Sequence, residues 1–164
     1  MIETDRLILR RPTAADAPVA TAFWQSPRSM HVGGDVIRPT AWRHFAAMLG
    51  HWEIRGYGLW AVVRRDTNQT IGLVGPWYPD GWPETEIGWL LFDGAEGHGF
   101  AAEAARAAMD HARTELGWTD IVHYIAPAND RSIALAERLG AVRDDTAQVP
   151  NPEKPTLVYR QVAA

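Results

Sequence analysis

The stretch Glu96-Gly97-His98-Gly99-Phe100-Ala101-Ala102-Glu103 has the residue types that hold a phosphate. It follows an apolar run, Ile87 to Phe92, and opens a long Ala-rich segment, so it reads as strand, glycine turn, helix. The first amides of a helix have no intrahelical partner, and the helix dipole adds partial positive charge there. Gly97, Gly99 and Ala101 are small enough to let a pyrophosphate approach the backbone. Three readings stand side by side: a plain turn that starts a helix, a dinucleotide fold, and a coenzyme A site. Gly97-x-Gly99-x-x-Ala102 matches the dinucleotide fingerprint literally. That fold, however, puts the fingerprint in its first βαβ unit with several parallel strands behind it. Here fewer than half of the residues follow. Around this stretch stand groups able to move protons: Glu84 and Glu86 ahead of it, His98 within it, and Asn129-x-x-Ser132 beyond it.

The elements that position these groups follow from pattern. Arg6 to Arg11 reads as a short strand stopped by Pro12. Thr13 and Asp16 suggest a capped helix running to Trp24, broken by Ser26-Pro27-Arg28. Met30 to Pro39 has no period and reads as a loop, with His31 at the surface. Thr40 is a good cap for a second helix with an apolar stripe of Trp42, Phe45, Ala46, Leu49 and Trp52, leaving His44 and His51 in solvent. Leu59–Arg64 and Ile71–Val74 read as a hairpin joined by Asp66-Thr67-Asn68-Gln69. Gly75 to Pro83 is rich in Gly and Pro and reads as irregular, with Trp77, Tyr78 and Trp82 along it. Thr85–Phe92 is the strand before the glycine turn. Gly99 to about Leu116 is a helix whose alanines allow close packing on a sheet. A strand at 121–126, a short helix at 130–139 closed by Gly140, a weak strand from Val142 and a last strand from Thr156 to Val162 complete the chain. The expectation is one mixed α/β domain over residues 1–164.

Composition narrows the function classes. Lys and Arg total 16 against 20 Asp and Glu, a formal net charge of −4, with no basic run, which argues against nucleic acid as a partner. With no cysteine, disulfides and thiolate metal sites are impossible, and no metal site is expected. No apolar run approaches the ~20 residues of a membrane span. The acidic opening lacks a signal-peptide core, so a cytoplasmic protein without membrane contact is expected. Eight tryptophans belong in the core, in a ligand pocket or, where exposed, on a homodimer face.

Taken in order, Glu3-Thr4-Asp5-Arg6-Leu7-Ile8-Leu9-Arg10, Glu86-Ile87-Gly88-Trp89-Leu90-Leu91, Gly97-x-Gly99-Phe100-Ala101-x-Glu103-Ala104, Asn129-x-x-Ser132 and Leu139-Gly140-Ala141 resemble the GNAT acetyltransferase superfamily. Within it the likeness is to the RimJ/RimL type, which acetylates ribosomal-protein N-termini. The resemblance implies a central mixed, mostly antiparallel sheet flanked by helices. It implies acetyl-CoA as cofactor, bound by Leu90, Leu91, Gly97, His98, Gly99, Phe100, Ala101, Ala102, Asn129 and Ser132. It also implies acetyl transfer to a primary amine, carried by a small molecule, an aminoacyl compound or a peptide N-terminus. Glu86 is the expected general base, with Glu84 and His98 as weaker candidates. Ser132 stands in for the tyrosine that many members use to protonate the leaving thiolate. A backbone amide near Trp89 to Leu91 is the implied oxyanion donor. Trp77, Tyr78, Trp82 and Glu86 are expected to line the acceptor pocket. One position departs from the pattern: Glu96 stands where the family usually has Gln or Arg, and an acid beside a pyrophosphate weakens binding unless it points away. The alternative function is a silent acyl-CoA-binding sensor.

Overall fold

In the computed structural model, which describes residues 1–161, two helical layers cover the faces of one eight-stranded sheet. The strands are β1 (Ile2–Glu3), β2 (Leu7–Arg10), β3 (Trp60–Arg64), β4 (Thr70–Trp77), β5 (Glu86–Leu91), β6 (Val122–Ile125), β7 (Ala141–Arg143) and β8 (Leu157–Gln161). The helices are α1 (Ala17–Trp24), α2 (Arg38–Arg55), α3 (Phe100–Thr114) and α4 (Asp130–Arg138). Strand order is β1-β2-β3-β4-β5-β6-β8-β7, and every pairing is antiparallel except β5 with β6. The mixed, mostly antiparallel sheet is therefore as expected. Val162 of the last predicted strand lies outside the described residues. Among the described residues no helix is long and apolar enough to cross a membrane.

Strand alternation sorts the core. Trp60 and Val62 of β3 face α3, and Leu59 and Ala61 face α1 and α2. On α3, Ala104, Ala105, Ala108 and Ala112 are fully buried, so the helix axis lies close to the sheet. The N-terminus is tied in through Asp16. Its carboxylate accepts from both terminal nitrogens of Arg10 (2.8 and 2.7 Å), from the Thr13 amide (2.8 Å) and from the Thr70 hydroxyl (2.9 Å). Burial alone would raise its pKa; the Arg10, Thr13 and Thr70 bonds outweigh that and hold it at about 2. This contribution is present above the ordinary carboxylate pKa and is lost as pH falls towards 2. Asp16→Ala strands the Arg10 charge and should cost about 3 kcal/mol in urea unfolding at pH 7.

Four local expectations are corrected. Helix α2 starts at Arg38 with Ile37 as cap, because Pro39 sits in the first turn, where its missing N–H is not needed. Thr40 is inside the helix, accepting from Arg43 (3.0 Å). The buried face of α2 runs through Ala41, Phe45 and His51, leaving Trp42 60% exposed. Residues 27–32 form 3₁₀ turns, not open loop. Finally, β4 continues through Gly75-Pro76-Trp77, with Pro76 opposite Ile87. β3 pairs with β4 only as far as Trp60↔Val74, so at Pro76 that side of β4 has no ladder for a missing N–H to break.

Candidate active site

The site lies where two parallel strands part. β5 and β6 are in register only at Glu86↔Val122. His123 sits in the gap: its Nδ1–H donates to the Ile87 carbonyl (2.7 Å), and its Nε2 accepts from the Gln161 amide (2.9 Å). Burial lowers its pKa to about 4, so it is a neutral strut at pH 7. Trp89 packs against it at a 45° tilt, ring centroids 4.6 Å apart, and crosses from β5 to α4, where its Nε1 donates to Ser132 Oγ (3.1 Å). Trp89, Leu90, Asn129, Ser132, His31 and Val32 form a shared wall with a groove on one side and a cavity on the other.

The groove contains the glycine turn. Gly97 and Gly99 both have φ of +78°, a backbone that L side chains rarely adopt. Gly97, Gly99, Phe100, Ala101, Ala102, Leu90, Leu91, Asn129 and Ser132 all line the groove, as expected of a cofactor site. His98 does not. It is exposed, its ring packs beside Phe100 at 5.6 Å, and its carbonyl accepts from Arg6 (2.9 Å). Arg6 also donates to Glu103 (2.7 Å), which takes the Thr4 hydroxyl too (2.6 Å). The opening Thr-x-Arg and the helical Glu103 thus clamp the turn from behind. Asn129 caps α4 by accepting from the Ser132 amide (3.2 Å). Arg28, Arg131 and Arg138 add positive charge to the groove, and Glu96 is held between Arg28 and Arg131 (3.3 Å to the latter). The acid at position 96 is therefore neutralised within the wall. Glycine at the turn, alanine behind it and three guanidinium groups around it fit a pyrophosphate-bearing cofactor.

The cavity on the other side has a volume of about 420 Å³. Trp24, Trp77, Trp82 and Trp89 line it, with Glu86 in the wall. Glu86 is 9% exposed and accepts from Trp82 Nε1 (2.8 Å). Burial raises its pKa to about 7, only partly offset by the Trp82 indole and the Tyr124 amide. Glu84, the weaker candidate, is engaged by both terminal nitrogens of Arg160 (2.6 and 2.9 Å). Tyr78 does not reach the cavity. Alternation turns it outward, where its ring packs on Arg55 at 5.4 Å. Its amide donates to His51 Nε2 (3.1 Å), whose Nδ1–H donates to the Tyr57 carbonyl (2.8 Å). His51 is thus buried and stacked on Trp77 at 4.5 Å, contrary to the solvated placement. His31 and His44, also expected in solvent, line the cavity. Tyr124 lines it as well and carries no sequence signal beyond strand alternation. The Tyr124 hydroxyl comes near the Glu84 amide without forming a hydrogen bond.

A splayed β5–β6 pair, a glycine turn opening α3 and a capped α4 define an acetyltransferase of the GNAT class, and residues 6–142 match the acetyltransferase (GNAT) domain. The chain belongs to that family. It is similar to an acetyltransferase from Agrobacterium tumefaciens, with 40% identity, TM-score 0.91, and 98% and 93% of the two chains covered. The Bacillus subtilis protein YkkB is 32% identical over 111 residues, 65% of this chain and 63% of YkkB. The chain thus spans just under two thirds of that relative. The fold also matches a RimL ribosomal L7/L12 α-N-protein acetyltransferase in complex with coenzyme A, at 16% identity and TM-score 0.73 over 98% and 96% of the chains.

Proposed function

We propose that this chain, acting as one domain, transfers an acetyl group directly from acetyl-CoA to a primary amine, with Glu86 as general base and Ser132 as proton donor. The observation that carries the reading is Glu86: a lone carboxylate in an aromatic cavity, its pKa raised to about 7, across one shared wall from the glycine groove. Acetyl-CoA, when bound, supplies an acetyl group activated as a thioester. The residues that would hold it are Leu90, Leu91 and the amides from Gly97 to Ala102, with Asn129 and the three arginines.

Glu86 removes the amine proton. An alkylamine with a pKa of about 10.4 lies about six units above an ordinary glutamic acid at about 4.3. Raising Glu86 to about 7 cuts that gap to roughly half. Ser132 Oγ accepts from Trp89 Nε1, which leaves its own proton free to be donated into the groove. Trp89 fixes that hydroxyl by crossing from one strand to the opposite helix.

Thiol release from acetyl-CoA, followed with primary, secondary and tertiary amines, tests the reading. Turnover with primary amines and acetylated product by mass supports it. Binding of acetyl-CoA with no turnover for any amine favours the silent sensor instead. Glu96→Gln bears on the groove. Arg131, relieved of Glu96, should tighten acetyl-CoA binding about threefold, the scale of an exposed ion pair, and steepen its salt dependence, while Arg28 stays paired with Asp93 (2.6 Å). Calorimetric titration at two ionic strengths reads both.

A further inference from the structure

Resting on that reading, we propose that Trp82 is a positioning residue for the base: its indole N–H holds Glu86 Oε2, fixes the aim of the carboxylate and favours its charged form. Among the described residues Trp82 is the only side chain that donates to Glu86 (2.8 Å). Of the two bonds that favour the charged form it is the stronger, ahead of the Tyr124 amide. A bond from an N–H to a carboxylate is charge-assisted, so its loss disfavours ionisation. The second oxygen, Oε1, stands beside Gly88: a Cβ built there would lie 3.7 Å from it. Gly88 lines the cavity, so with Oε2 held, the bare backbone at position 88 leaves Oε1 uncovered on that side.

The donor is itself held in place. The Trp82 amide donates to the Pro79 carbonyl (3.1 Å), which closes the turn that carries it. Its ring packs edge-on to Tyr124 of β6 at 6.1 Å. Between Trp82 and the base, Glu84 is engaged by Arg160 of β8 (2.6 and 2.9 Å), the Thr85 hydroxyl donates to the Asp120 carbonyl, and the Thr85 carbonyl accepts from the Val122 amide (3.0 Å). The segment from Trp82 to Glu86 is thereby tied to its neighbouring strands, and the indole meets the charge without rearrangement. The other titratable groups around the base are His31, His44, His123, Tyr124 and the paired Glu84 and Arg160. Burial lowers the pKa of His44 and His123 and raises that of Tyr124. Glu86→Gln distinguishes any ionisation among them from that of Glu86.

The test is the pH dependence of kcat and kcat/KM for one primary amine in wild type, Trp82→Phe, Trp77→Phe and Glu86→Gln. Trp82→Phe should move the bend in kcat/KM up by about one pH unit, because the charged carboxylate loses its main donor. Above the bend its kcat should fall about tenfold, because the carboxylate is no longer held to its aim. Trp77→Phe thins the same wall and leaves the bond in place. Its bend should stay at or below that of wild type, since water admitted to the cavity solvates the charge. For Trp82→Phe, a bend at or below the wild-type position, or an undiminished kcat above it, would overturn the positioning role and leave Glu86 as the base. The Trp82 indole N–H signal in NMR of the wild-type protein tests the bond without any variant having to fold. It should titrate with the midpoint of the bend, and a flat signal would overturn the role. A bend that survives Glu86→Gln, or no turnover with any amine, would overturn the underlying reading and this role with it.

Discussion

Glu86→Gln is expected to slow amine acetylation by about 10²- to 10⁴-fold while making the protein harder to unfold at pH 8. The two effects have one cause. The carboxylate sits in a cavity walled by tryptophan, where its charged form is poorly solvated. That burial makes it a usable base near neutrality, and it is also a cost to folding. Its pKa rises from 4.5 to about 7, worth about 3 kcal/mol at 1.36 kcal/mol per unit. Below pH 4.5 the folded and unfolded chains both carry the proton, and the cost is absent. Between 4.5 and 7 the unfolded chain ionises first, so stability falls as pH rises, and above 7 the full cost applies. Gln removes it and still accepts from Trp82 Nε1. Urea unfolding of both proteins at pH 4.5 and 8 should show near-equal stability at the lower pH and a more stable variant at the higher. Retained activity, or a variant weaker at pH 8, would count against the assignment.

Gly97→Val should raise KM for acetyl-CoA by about tenfold or more while leaving kcat at saturation close to wild type. The position has φ of +78°, and a Cβ built there meets nothing within 4 Å. Gly97 lines the groove, so a side chain added there stands at its wall. A β-branched side chain therefore suffers both backbone strain and displacement of whatever the groove holds. Gly94→Val separates these. Gly94 has nearly the same backbone, φ +77°, with equally open space, yet it does not line the groove. It should lose similar stability, about 1–2 kcal/mol, without the rise in KM. Equal KM values for the two variants would show that strain alone, not the cradle, is being measured.

Much of this architecture could be read from local sequence, for a physical reason. The strand–glycine–helix junction, the alanine face of α3 and the Asn129 cap depend on residues within a turn or two of one another. The errors have equally local causes. Gly75-Pro76 reads as a breaker, and only the early end of β3 lets the strand continue through it. Sequence alone puts Tyr78 beside Trp77 because a loop has no sidedness, whereas a strand end turns neighbours to opposite faces. What sequence could not supply is pairing across distance. Arg6 and Glu103 are 97 residues apart and jointly brace the glycine turn. Glu96 looks hostile to a phosphate until Arg28 and Arg131 are seen beside it. His44 and Tyr124 carry no motif at all, and only the fold brings them into the cavity wall.

The pH dependence of kcat/KM for one primary amine, in wild type and Glu86→Gln, tests the central claim most directly, since it reports ionisations of the free enzyme. The account predicts a bend near pH 7 in the wild type, with activity rising as Glu86 loses its proton, and no such bend in the variant. A wild-type profile without a bend between about pH 6 and 8, or a bend that survives the substitution, would contradict Glu86 as the base.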